Sequence, residues 1–82
     1  MTTKLDWHIS KTPTTGRVVA IWDEGCGYWA AIPQTMTLQD AAFAFAVGYD
    51  HHDYVGSISC NATLFVDGVE IESLDFTLAD SE

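Results

Sequence analysis

The densest set of metal-capable side chains in this sequence is Asp50-His51-His52-Asp53. Two imidazoles and two carboxylates could hold Zn²⁺ or Ni²⁺ if a cysteine or His8 completed the sphere. The spacing argues against it, because adjacent residues of an extended segment point to opposite sides and zinc ligands usually stand two to four residues apart. The tetrapeptide therefore reads as a solvated loop; a pH-sensitive loop is the second reading, because neighbouring carboxylates favour the charged imidazolium. Asp23-Glu24, beside Gly25 and Gly27, lacks the alternating acids of a Ca²⁺ loop and reads as a solvated hairpin turn. Gly56-Ser57-Ile58-Ser59 lacks the second glycine of a nucleophile elbow. Cys60 is in phase with Ala62, Leu64 and Val66, which makes it a core residue rather than a nucleophile. Cys26 is expected at the surface, with nothing nearby to lower its pKa. No nucleophile–base or acid–base pair is identifiable, so no enzyme, metal or cofactor is expected.

What the sequence does carry is charge of one sign. Twelve carboxylates against three basic residues give −9 in 82 residues. Lys4, Lys11 and Arg17 are the only basic residues and, with Asp6, leave residues 1–17 at +2. Residues 18–82 hold the other eleven carboxylates and no Lys or Arg, hence −11. Most of these acids have no internal salt-bridge partner available. Their self-repulsion opposes folding, and a cationic partner would relieve it. Direct nucleic-acid binding is disfavoured, because that footprint is basic.

The elements that must position these acids can be read in order. Leu5, Trp7 and Ile9 alternate with polar residues as a half-buried strand. Thr12 to Gly16 is a turn region. Arg17–Trp22 is a second strand, apolar enough to be central, and Tyr28–Ile32 a third, so the three read as an antiparallel meander. Thr37-Leu38-Gln39-Asp40 fits a capping box opening a helix from Leu38 to about Val47, with Gly48 as its C-cap. The helix is apolar nearly all round, and its alanines allow close approach to a sheet face. Ser57–Val66 and Val69–Leu78 are two further strands around Asp67-Gly68, the strongest short signal for a type I′ hairpin. The expectation is one α+β domain over residues 1–82, βββαββ, with an antiparallel sheet of about five strands and one helix on a face.

That last hairpin sets Leu64 opposite Ile71 and Ala62 opposite Ser73. After Ser73 the apolar phase slips to Leu74, Phe76 and Leu78, so a β-bulge near Glu72-Ser73 is expected. Glu70, Glu72 and Asp75 would then form a ladder on one face with steps of roughly 7 Å, every second phosphate of a duplex strand. The acids Asp23, Glu24, Asp50 and Asp53 would join them from loops. Trp7, Trp22 and Trp29 each lie on an expected strand and read first as core; the functional alternative is that one of them, with Tyr49 or Tyr54, supplies an apolar anchor within the acidic surface.

The N-terminal MTTKLDWHIS has no apolar signal-peptide core, and the longest apolar run, Ala41 to Val47, is too short to span a membrane. A cytoplasmic location and reduced thiols are expected.

In size, acidity, α+β architecture and lack of a catalytic motif, the chain resembles the small phage-encoded inhibitors of bacterial defence, the anti-CRISPR proteins and anti-restriction DNA mimics. The resemblance implies a non-enzymatic inhibitor of the host cytoplasm that docks on the basic nucleic-acid groove of a CRISPR effector complex or restriction enzyme and blocks DNA. An immunity protein for a basic nuclease toxin, or a structural or accessory phage component, would show the same composition.

Overall fold

The computed structural model describes residues 5–23, 25–48 and 57–79. Among them the elements follow as β1 (Arg17–Asp23), β2 (Cys26–Ala31), α1 (Leu38–Gly48), β3 (Ser57–Val66) and β4 (Val69–Ala79). The strands form one antiparallel sheet in the order β2-β1-β3-β4. β2 and β3 both run antiparallel to β1, so they are parallel to each other. A parallel pair needs a crossover, and α1 lies in that connection. β1 is central, as its apolar run implied. Val18, Val19, Ala20 and Ile21 are all buried, so this strand is covered on both faces.

The helix begins where its cap predicts. The Asp40 amide donates to Thr37 Oγ1 at 3.0 Å and the Thr37 amide to the Asp40 carboxylate at 3.4 Å, closing the reciprocal box. The Arg17 guanidinium holds the preceding loop by donating to the carbonyls of Pro33 and Met36. Leu38, Ala41, Ala42 and Phe45 then pack onto Val19, Ile21, Ala62 and Leu64 to form the core. Cys60 is buried with them, and Cys26 is exposed, both as expected. No helix among the described residues is long and apolar enough to cross a membrane.

The fold is α+β, but the five-stranded order βββαββ is corrected to four strands among the described residues. Leu5–Ile9 makes a single antiparallel bridge, His8 to Trp29, on the outer edge of β2. The expected alternation holds for Leu5 and Trp7 and fails at Ile9, which is exposed: Trp7 packs edge-on against Phe45 at 5.1 Å, while the His8 ring lies on Trp29 at 4.6 Å. Extending this ladder would carry the chain toward Gly27, away from Gly16, where β1 must begin. The chain turns back instead. Trp29 Nε1 donates to Ser10 Oγ, and by Thr14 the backbone lies beside Gly68. Gly16 then exchanges two bonds with Asp67, one through the carboxylate at 2.7 Å and one through the backbone at 2.9 Å. This strap thus links the edge of β2 to the β3–β4 turn at the Arg17 end of β1.

Candidate interaction surface

The β3–β4 hairpin turns where its sequence places the turn. Asp67 has φ 50° and Gly68 φ 83°, the paired positive angles that an Asp-Gly I′ turn supplies. The register beyond it differs from expectation. Phe65 pairs with Glu70 and Leu64 with Glu72, leaving Ile71 as the extra residue. The bulge thus falls before Glu72, one to two residues earlier than the phase slip suggested. Leu74, Phe76 and Leu78 keep their inward phase opposite Ala62, Cys60 and Ile58.

The early bulge breaks the carboxylate ladder. Directly paired residues share a face, so Glu70, opposite Phe65, and Asp75, opposite Asn61, lie on the outer face. Glu72, opposite Leu64, lies on the helix side, though exposed at the free edge of the sheet. Glu70 and Asp75 are separated by four residues of the facing strand, roughly 13 Å. The 7 Å repeat is therefore absent, although all three acids are exposed on β4.

Asp23 departs further. It ends β1 rather than sitting in a solvated loop, and it is buried at 8% exposure. Its Oδ1 accepts from the Cys26 amide at 2.9 Å, and its carbonyl accepts from the Gly25 amide. A short acceptor at the first residue of a turn satisfies amides that the ladder cannot reach. This carboxylate serves its own hairpin and is withdrawn from any docking surface. Glu24, Tyr49, Asp50, Asp53 and Tyr54, with the paired histidines, lie outside the described residues. No cluster of three or more metal-ligating side chains occurs among the described ones.

The aromatic that sequence could not single out is Trp22, the most exposed of the three tryptophans at 53%. Its six-membered ring lies against Gly27 so closely that a Cβ there would overlap Cζ3 and Cε3. Gly27, Trp22, Asn61 and Asp75 are successive cross-strand partners, one row across all four strands of the outer face. Asn61 is fixed in that row. Its Nδ2 donates to Asp75 Oδ1 at 2.9 Å and to the Leu74 carbonyl at 3.3 Å, and its Oδ1 accepts from the Thr63 hydroxyl at 2.8 Å. Trp22, Asn61 and Asp75, with Ser59 and Thr77, line an open hollow of about 450 Å³ where β3 runs on past the end of β1.

The described surface thus combines an aromatic platform, a held amide and a carboxylate, with no basic side chain in the hollow. That set suits non-covalent contact with a cation. No known protein family, curated protein or solved structure matches this chain.

Proposed function

We propose that this chain is a non-catalytic inhibitor that docks its acidic surface on a basic nucleic-acid-binding groove of another protein, in the manner of the small phage-encoded inhibitors of bacterial defence that it resembles. The carrying observation is the absence of any Lys or Arg after Arg17 against eleven carboxylates, with Glu70, Glu72 and Asp75 exposed along one edge strand. Charge of one sign steers a protein onto Lys- and Arg-lined surfaces at a rate that falls with salt. The split ladder places the weight of this reading on charge sign rather than on phosphate-like spacing.

The test is a competition. Bacterial lysates passed over the immobilised protein at low and moderate salt should yield a nucleic-acid enzyme or CRISPR effector complex whose DNA binding is lost when the free protein is added. Reversing Glu70, Glu72 and Asp75 to lysine together should abolish the competition. Retention of no such enzyme, or competition unchanged by the reversal, overturns the proposal. Retention of a free nuclease toxin would point to the immunity-protein reading instead.

A further inference from the structure

We infer that the hollow beside Trp22 is a receptor for an arginine side chain, with the guanidinium paired to Asp75 and the aliphatic stem laid against the Trp22 indole. The inference rests on the reading of this protein as a partner of basic surfaces, and it names the group that anchors the contact.

Charge comes first. Among the described residues the hollow is lined by two carboxylates, Asp23 and Asp75, and by no basic side chain, within a protein of net charge −9. Phosphates and other anions are therefore repelled, and cations are drawn in. Of the two carboxylates, Asp23 is buried and engaged in its own turn, so the accessible one is Asp75. Its Oδ1 is held by Asn61, and no hydrogen bond to its Oδ2 occurs among the described residues. Asn61 is in turn held by Thr63 and by the Leu74 carbonyl. The carboxylate thus stands in a fixed orientation before any partner arrives, which lowers the ordering cost of binding.

Geometry comes second. Trp22 and Asp75 lie two strand spacings apart in one row, roughly 10 Å between their backbones, with the compact Asn61 between them. An arginine side chain matches this separation. Its methylenes cover apolar surface while the planar head reaches the carboxylate, and the head pairs with both carboxylate oxygens or stacks on an aromatic face. A lysine ammonium is more strongly hydrated, is a point charge, and forms no planar fork. The Trp22 ring leans over Gly27 on the β2 side, yet the residue is half exposed and lines the hollow, so it presents apolar surface to the stem.

The probe is the blocked tripeptide acetyl-Gly-Arg-Gly-amide, titrated into the full chain at low ionic strength and followed by NMR. The Trp22 indole and Asn61 side-chain amide signals should move together. The lysine peptide should bind about fivefold more weakly, and the citrulline peptide, isosteric but neutral, should leave both signals in place. Asp75→Asn keeps an acceptor for Asn61 and should reduce binding about fivefold or more. Trp22→Ala should reduce it about two- to fivefold, read at Asn61. Equal response to lysine, response to citrulline or to methyl glucoside, undiminished response in Asp75→Asn, or no response to arginine would each overturn the inference. The assay contains no macromolecular partner. It can therefore fail while DNA competition succeeds, and it can succeed while competition fails.

Discussion

The two faces of this sheet are built from the same four strands but closed by different means. On the helix side, Val19, Ile21, Ala62 and Leu64 meet Leu38, Ala41, Ala42 and Phe45, and water is excluded. On the outer side burial is uneven along a single strand. Val18 and Ala20 are buried, while Trp22 on the same face of the same strand stands half in solvent. A run such as RVVAIW therefore has two meanings at neighbouring positions. Ile21 belongs to the closed face and supplies stability. Trp22 belongs to the open end and supplies contact area.

That contrast is sharpest at these two residues. Ile21 is fully buried, so Ile21→Ala should lower the unfolding free energy by about 2–5 kcal/mol through lost transfer and an unfilled cavity. In an 82-residue domain this is a large share of the total. Trp22→Ala, next in sequence and larger in volume, should cost less for its size, about 2 kcal/mol, because half of the residue is already in water. Chemical denaturation of the two variants measures the difference directly. Similar losses at both positions would mean that the outer face is as closed as the inner one.

A subtler change acts on the seat of the open face. Gly27→Ala places a methyl where the Trp22 ring lies, so the ring must swing outward. The stability change should stay within about 1 kcal/mol, since alanine loses less backbone entropy than glycine in a strand and the displaced ring has solvent to enter. The Trp22 indole resonance should shift, and its response to the arginine peptide should weaken. An unshifted resonance would show that the sheet yields there and not the ring.

How much of this was legible depends on whether the controlling physics is local. The Asp67-Gly68 turn, the Thr37–Asp40 box and the inward phase of Cys60, Ala62 and Leu64 depend on neighbours in sequence, and each is present. The bulge position is not local. Ile71 looks like a core residue opposite Leu64, and only the pairing across β3 shows that Ile71 is the extra residue and that Leu64 faces Glu72. Asp23 reads as a loop acid because its role is to accept from the Cys26 amide, a bond with no composition signal. The exposure of Trp22, on a face where Val18 and Ala20 are buried, likewise has no local signal in RVVAIW. The path of residues 10–16 is not local either, since Gly16 bonds to Asp67 at the opposite end of the sheet from the one toward which the His8 bridge points.

The smallest expected effect bears on the broken ladder itself. Three acids on one face with roughly 7 Å steps would repel one another measurably, because like charges that close on a shared surface interact within about one Debye length. The observed register puts Glu72 on the opposite side of β4 from Glu70 and Asp75. The two that share a face stand roughly 13 Å apart, beyond the ~8 Å screening distance at physiological salt. Neutralising any one of them should therefore change stability by less than about 0.5 kcal/mol, as for other exposed sites. A double-mutant cycle of Glu70→Gln and Glu72→Gln should be additive within about 0.3–0.5 kcal/mol. The cycle of Glu70→Gln and Asp75→Asn should be additive as well, at 0.15 M salt. A coupling well above that margin, falling as salt is raised, would mean that these carboxylates feel one another as a continuous acidic strip. Additivity in both cycles instead leaves each acid to act on a partner singly, with Asp75 distinguished by the Asn61 amide that holds it and by Trp22 in the same row.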